Sequence, residues 1–145
     1  MLALLQRVTR AEVTVARATV ARIDAGLLVF VGVQQDDKEM HADKLAQRLL
    51  GYRVFADKHG KMNLSVQDIN GALLLVPQFT LAADTHKGMR PSFTLAAAPQ
   101  QAEYLFNHLL HQVRIQHGNV HSGRFGADMQ VSLINDGPVT FLLNT

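Results

Sequence analysis

The sequence contains no cysteine and no tryptophan. Without cysteine, neither disulfide bonds nor thiolate chemistry is possible, and a secreted scaffold held together by disulfides is excluded. Because Trp is missing and only two Tyr are present, a broad aromatic platform for stacking nucleic-acid bases is not expected. The cytoplasm is the default location that we expect for this chain.

Long apolar runs and a strong net charge are missing as well. No apolar stretch has the length that crosses a membrane, and no charged-then-apolar signal segment is present, so we expect no membrane contact. A formal net charge of +2 is too small to indicate a strongly basic nucleic-acid-binding face, although it permits contact with a short piece of RNA. The remaining composition, 48% hydrophobic over 145 residues, is ordinary for one globular domain.

The apolar pattern predicts a single α+β domain over residues 1–145. Alternating and continuous apolar runs indicate mostly antiparallel sheets that form a barrel-like core with two main helices. The predicted strands are 2–8, 12–20, 27–33, 52–55, 73–76, 129–134 and 139–143. The first helix is expected to be capped by Asp36-Asp37, and the second to begin at Pro99, where a first turn tolerates proline. Their predicted buried residues are Ala42, Leu45, Ala46, Leu49 and Leu50, and Ala102, Leu105, Phe106, Leu109 and Val113.

Seven histidines invite comparison with metal sites. His108 and His111 lie three residues apart on the second predicted helix, but outside its apolar stripe. The Glu of an H-E-x-x-H motif is missing, and no cysteine is available as a ligand. A solvated helix face is the favoured interpretation, and we expect neither a metal nor another cofactor.

Two segments, 76–81 and 135–140, place polar or conformationally special residues at the ends of apolar runs. Gln78 and Thr80 point to the same face if their strand continues. A threonine hydroxyl is a poor nucleophile unless a base activates it, and no His or carboxylate lies beside Thr80 in the sequence. Taken alone, Thr80 is interpreted as an ordinary strand residue and Gly137-Pro138 as an ordinary turn, although an X-Pro bond is the common place for a cis peptide.

Taken together, these residues resemble the D-aminoacyl-tRNA deacylase family. That family carries a Ser-Gln-x-x-Leu segment, matched here by 77–81 except that Pro77 replaces Ser, and an Asn-x-Gly-Pro-Val-Thr segment, matched by 135–140. The resemblance extends along the whole chain. Its further matches are Gln6-Arg7-Val8, Lys61-Met62-Asn63-Leu64, Gly88-Met89-Arg90-Pro91-Ser92-Phe93 and Gly123-Arg124-Phe125.

The resemblance implies a homodimer whose two active sites lie at the subunit interface. It implies hydrolysis of the ester that joins a D-amino acid, or glycine mischarged on tRNA-Ala, to the 3′ end of tRNA. It also implies that the Gly137–Pro138 peptide is cis and reaches into the partner subunit's site. There a backbone screen would exclude every L side chain, whereas glycine, which has no side chain, would pass.

For the chemistry, the resemblance makes the Phe79 and Thr80 amides candidate donors to a tetrahedral oxyanion, with Gln78 as a positioning group. Two mechanisms stay open: Thr80 as nucleophile, or water attack assisted by the 2′-hydroxyl of the RNA. The absence of a base near Thr80 favours the second. Arg7 is expected to hydrogen-bond near the Gly137-Pro138 turn and hold its orientation.

Two basic residues are candidates for contacts with the rest of the tRNA. Lys87 and Arg90, in the polar loop after Thr80, are either partners for RNA phosphates or, equally, solvated surface residues. Because Pro77 removes a hydroxyl and an N–H, a catalytically silent RNA-binding relative is a second hypothesis. A structural dimer unrelated to RNA is the third.

Overall fold

A computed structural model describes residues 1–86 and 88–145, and Lys87 lies outside the described residues. Within them the chain forms two helices, α1 (Glu39–Gly51) and α2 (Pro99–Gln116), and a 3₁₀ segment, Phe79–Ala82. Eight strands complete this described part: β1 (Leu2–Val15), β2 (Ala18–Ile23), β3 (Gly26–Gly32), β4 (Phe55–Ala56), β5 (Met62–Leu64), β6 (Ala72–Pro77), β7 (Val120–Ser122) and β8 (Gln130–Asn144). In the same residues, no helix has the length and apolarity that a membrane span requires.

The main sheet has the strand order β2-β1-β3-β6-β7, and β8 also pairs with β1. Strand β1 is antiparallel to β2, β3 and β8, whereas the β3–β6 and β6–β7 pairs are parallel. Strands β4 and β5 form a separate antiparallel hairpin. The predicted class, an α+β domain with a mostly antiparallel, barrel-like sheet and two main helices, is confirmed.

The core lies on both faces of the sheet. Helices α1 and α2 cover one face, and the predicted apolar stripes of both helices are buried there. The opposite face carries a second cluster in which Val8, Ala11 and Val13 of β1 pack against Leu28 and Leu74. Burying one such aliphatic side chain contributes about 1.5–3 kcal/mol, so both clusters hold the strands that lead to the site.

Three local expectations were wrong. The break at Thr9-Arg10 does not exist, because β1 runs through it and the chain reverses at Ala16 and Arg17, which have φ of 49° and 67°. The N-cap of α1 is Lys38 rather than Asp36-Asp37. The carboxylate of Asp37 accepts hydrogen bonds from the Met1 amino group at 2.6 Å and the Gln34 N–H at 2.7 Å. Of residues 52–55, only Phe55 lies in a strand.

The two predicted C-terminal strands, 129–134 and 139–143, are parts of one strand, β8. Both parts pair with β1, since Gln6 is opposite Thr140 and Val8 is opposite Asn135. Six residues of β8, 135–140, therefore face three of β1, 6–8, and residues 136–139 leave the ladder. We call these four residues the excursion. It is a bulge within a strand rather than the turn between two strands that the sequence predicts.

Candidate active site

Strand β6 ends at Pro77, and the chain then bends into the 3₁₀ segment. The Gln78 N–H donates to the Val31 carbonyl at 2.7 Å, and the Leu81 N–H donates to the Gln78 carbonyl at 3.2 Å. These bonds fix the bend against the end of β3. The expectation that the strand continues through Gln78 and Thr80 was therefore wrong, and Thr80 lies on an exposed helical turn.

The Gln78 and Thr80 side chains nevertheless meet. The Gln78 amide donates a hydrogen bond to the Thr80 hydroxyl, and within the described residues no His or carboxylate bonds to that hydroxyl. Asp84 is the first carboxylate after Thr80 in the sequence. Its pKa is lowered by hydrogen bonds from the backbone and the ring of His86, which makes it a weaker base. The geometry therefore supplies a positioned hydroxyl without an activating base.

Two backbone donors lie beside this pair. Phe79 and Thr80 are the first two residues of the 3₁₀ segment, so their N–H groups have no acceptor within that segment. Because i→i+3 bonding begins with the Leu81 N–H, the two preceding N–H groups have no backbone acceptor in the described part of the chain. Adjacent backbone donors of this kind can bind a tetrahedral oxyanion.

Gly32, the last residue of β3, packs against the 3₁₀ segment. A Cβ at this position would lie 2.9 Å from the Leu81 Cβ and 3.2 Å from the Gln78 carbonyl oxygen. Any larger residue would push the segment away from the sheet. The position of the Phe79 and Thr80 N–H groups thus depends on a glycine in a different strand.

An apolar pocket of about 480 Å³ opens beside Gln78 and Phe79. Its walls come from the end of β6, the first turns of α2 and the loop before β8. They include Pro77, Ala102, Phe106, Phe125 and Met129. The sequence predicts Phe106 as a core residue, and Phe125 entered only as part of the family resemblance. The sequence could not predict this pocket, because its residues come together only when separate elements pack against one another.

The excursion is held by the residues at its ends. The Asn135 side chain accepts from the Val139 N–H at 2.7 Å and donates to the Thr140 hydroxyl at 3.1 Å. Within it the Gly137–Pro138 peptide is cis. Gly137 has φ of 155°, and a Cβ there would lie 2.7 Å from the Val139 nitrogen. A residue with a side chain at position 137 would therefore distort the excursion.

Arg7 connects the excursion to the neighbouring hairpin. Its Nε donates to the Asp136 carbonyl at 2.8 Å and lies 3.3 Å from the Asp136 carboxylate. Its Nη1 donates to the Val54 carbonyl at 2.6 Å. The guanidinium therefore bonds the residue directly before Gly137, which is the contact that the sequence predicts for it.

The other predicted residues, Gly137, Pro138 and Arg90, lie at the surface. Gly137 and Pro138 are exposed and do not line the pocket beside Gln78, so one chain alone does not bring the two predicted segments together. Arg90 is exposed in its loop. Pro77 interrupts no β6–β7 bond in the described ladder, since that pairing ends opposite Leu75.

The histidines of α2 differ from one another. His108 is half-buried and lies 2.7 Å from the Asp43 carboxylate of α1, so it is not the freely solvated residue that the sequence predicts. His111 is exposed. In the described part of the chain, no three His, Asp or Glu residues are grouped closely enough to hold a metal ion.

Comparison with known proteins identifies relatives along the full length. The family model described as D-Tyr-tRNA(Tyr) deacylase matches residues 4–144. A D-aminoacyl-tRNA deacylase of Pseudomonas putida is 61% identical over 143 residues, and one of Escherichia coli is 57% identical, each alignment covering 99% of both chains.

Solved structures give the same fold. A structure titled c-Myc DNA Unwinding Element Binding Protein has a TM-score of 0.96 at 40% identity, covering 100% of this chain and 99% of its own. A probable eukaryotic D-amino acid tRNA deacylase has a TM-score of 0.88 at 18% identity, with 98% and 97% covered. The second likeness, at this low identity, concerns the fold alone.

Proposed function

This chain belongs to the D-Tyr-tRNA(Tyr) deacylase family, and on that premise we propose that it removes D-amino acids, and glycine mischarged on tRNA-Ala, from the 3′ end of tRNA. As a member it is a hydrolase of aminoacyl-tRNA esters. The observation that carries the proposal is the pair of Phe79 and Thr80 N–H groups beside an apolar pocket; in residues 1–86 and 88–145 these N–H groups have no backbone acceptor and the Thr80 hydroxyl has no base. The deacylase domain extends over residues 1–145.

The substrate has two parts on either side of its ester, an amino acid and a terminal adenosine. The apolar pocket suits the adenine ring, because Phe106, Phe125 and Met129 offer aromatic and polarisable surface to a flat base. With the base there, the ester lies at the mouth of the pocket, next to Gln78 and Phe79. The amino acid then extends away from the pocket into solvent or toward a second subunit.

The chemistry needs few groups because an aminoacyl ester is already reactive. Water adds to the ester carbonyl carbon and gives up a proton, with the ribose 2′-hydroxyl assisting. The oxyanion that forms accepts hydrogen bonds from the Phe79 and Thr80 N–H groups. The bond from carbon to the ribose 3′-oxygen then breaks, and that oxygen takes up a proton. In this scheme Thr80 positions Gln78 and the substrate rather than attacking it.

A homodimer would supply the groups that the single chain leaves apart. In the described residues β8 pairs along one edge only, with β1, and it exposes Ile134 by 46% and Leu142 by 62%. A long apolar edge strand is a template for pairing with a second copy. The excursion lies in the middle of this strand and would project into the partner. Sedimentation of the purified protein at the monomer mass would contradict this part of the proposal.

The chiral screen follows from where the excursion would lie. Pocket contacts distinguish side chains weakly, by about 1–3 kcal/mol per methylene. Asn135 and Arg7 hold the backbone of the excursion by hydrogen bonds, so it cannot move to make room for a side chain of the L configuration. A D side chain points the other way, and glycine presents none. The enzyme would therefore select by the configuration at the α-carbon and not by the chemical identity of the side chain.

The remaining assignments concern the rest of the tRNA and the place of action. Arg90 is a candidate phosphate contact, and Lys87, outside the described residues, is another. The substrate is a component of translation, so we assign the protein to the cytoplasm.

The test is deacylation by the purified protein. With D-Tyr-tRNA and with Gly-tRNA(Ala) as substrates, we expect free amino acid to be released at enzyme concentrations far below that of the substrate. Retained tRNA binding without ester cleavage would instead favour the silent relative that Pro77 raised. Absence of tRNA affinity at every salt concentration would favour a dimer unrelated to RNA.

A further inference from the structure

We propose that the tip of the β4–β5 hairpin, residues 57–61, binds phosphates of the tRNA acceptor end through Lys58 and Lys61. The inference rests on the proposed function, since that function supplies the RNA. It concerns how the body of the tRNA is held, which neither the pocket nor the 3₁₀ segment explains.

The hairpin has a buried base and an exposed tip. Phe55 and Leu64 pair with each other and pack into the core beneath the helices. Residues 58–61 are exposed, and Met62 beside them exposes 48% of its surface. The hairpin pairs with no other strand in the described residues. It therefore forms a small projection with basic groups at its end and an apolar side chain suited to a ribose or base.

The tip is rigid because Asp57 satisfies its backbone. The Asp57 carboxylate accepts from the Asn63 side chain at 2.8 Å and from the His59 and Lys61 N–H groups at 2.8 and 3.0 Å. These hydrogen bonds, with that of Asn63 foremost, lower the pKa of Asp57. The carboxylate thus faces inward, toward the turn.

The lysines, by contrast, have no counter-ion among the residues that the structure describes. Neither Lys58 nor Lys61 forms an ion pair with any carboxylate of residues 1–86 and 88–145. Ammonium groups on a fixed turn can each neutralise an RNA phosphate and release its counter-ions. Two such groups on one turn suit a backbone with repeating charges better than a single anion.

The hairpin and the excursion are braced together. One Arg7 guanidinium bonds the Val54 carbonyl at the hairpin's base and the Asp136 carbonyl beside Gly137. If the excursion contacts the aminoacyl end of the tRNA, the hairpin therefore lies close to that end as well. Lys58 is the fourth residue after Val54, which places it at most about 14 Å of extended chain away. That reach suits nucleotides beyond the terminal one rather than the ester itself.

The test compares two substrates and two double variants. Lys58→Ala/Lys61→Ala removes the tip charges, and Lys44→Ala/Arg114→Ala removes two exposed charges from the helices as a matched control. Each is assayed with D-Tyr-tRNA over a series of salt concentrations and with the D-tyrosyl ester of adenosine alone. The mass of each variant in solution is measured alongside.

For the hairpin variant we expect KM for D-Tyr-tRNA to rise about tenfold, with kcat unchanged. The slope of log KM against log salt should fall by about 1.4–1.8, the value for two lost phosphate contacts. Cleavage of the adenosine ester should equal that of wild type. A salt slope equal to that of the control variant overturns the inference, and so does dissociation of a dimer, which would make the tip a protein contact. Failure of the proposed function is distinct, because wild type would then cleave neither substrate.

Discussion

At the scale of the residue, the Thr80 hydroxyl decides between the two mechanisms. It accepts a hydrogen bond from Gln78 and has no base among the described residues. A nucleophilic threonine needs such a base, and general base catalysis contributes about 10²–10⁴ in rate. This arrangement supports the proposal that water is the attacking group.

Replacing Thr80 by Ala tests this assignment. The change removes one hydrogen bond, worth about 0.5–1.5 kcal/mol, and leaves the residue's N–H in place. We expect kcat for D-Tyr-tRNA to fall by less than about tenfold. Thr80→Ser is the matched control, because it keeps the hydroxyl. A loss above about a thousandfold in Ala, rescued by Ser, would mean that the hydroxyl is the nucleophile.

The sequence predicted the members of this pair but not how they meet. Alternation along a strand placed Gln78 and Thr80 on one face, whereas their contact arises in the 3₁₀ segment after the strand has ended. The bend depends on bonds to Val31 and on space above Gly32, both in another strand. Local periodicity carries no information on such long-range contacts.

At the scale of the element, the contact between the 3₁₀ segment and Gly32 of β3 fixes the position of the two proposed oxyanion donors. In Gly32→Ala the added Cβ would lie 2.9 Å from Leu81, so the segment must shift. Overpacking of this kind costs about 1–3 kcal/mol. We expect a lower Tm and a larger loss of kcat than in Thr80→Ala.

Gly51→Ala is the control for this change. A Cβ at Gly51, the last residue of α1, would meet nothing within 4 Å. Tm and deacylation should therefore stay at or slightly above wild type. If Gly32→Ala retains full kcat while Gly51→Ala behaves as expected, the position of the 3₁₀ segment does not control the reaction.

Both misjudged strands have a physical explanation at this scale. Thr9 and Arg10 are polar and exposed, which favoured a break, but β1 shifts register there and continues toward the second core cluster. Asn135-Asp136-Gly137-Pro138 has the composition of a turn. It became a bulge because both flanking segments pair with the same strand, and the pattern of one segment cannot indicate its partner.

At the scale of the whole molecule, the fold class could be predicted and the complete site could not. Apolar periodicity was enough for two helices against a mostly antiparallel sheet. The pocket joins the end of β6, α2 and the loop before β8, which are separate elements well apart in the sequence. The excursion remains outside that pocket in a single chain. In the proposed homodimer the two would meet, so the proposed chiral screen would be a property of the assembly.

The central claim is that the excursion, held by Arg7, rejects L-aminoacyl ends. The most direct measurement is the ratio of kcat/KM for D-Tyr-tRNA to that for L-Tyr-tRNA, in wild type and in Arg7→Ala. A hydrogen bond from a charged donor is worth about 1.5–3 kcal/mol, so we predict a high ratio in wild type that falls about 10- to 100-fold in the variant. Equal cleavage of D-Tyr-tRNA and L-Tyr-tRNA by wild type, or an unchanged ratio in Arg7→Ala, would contradict the account.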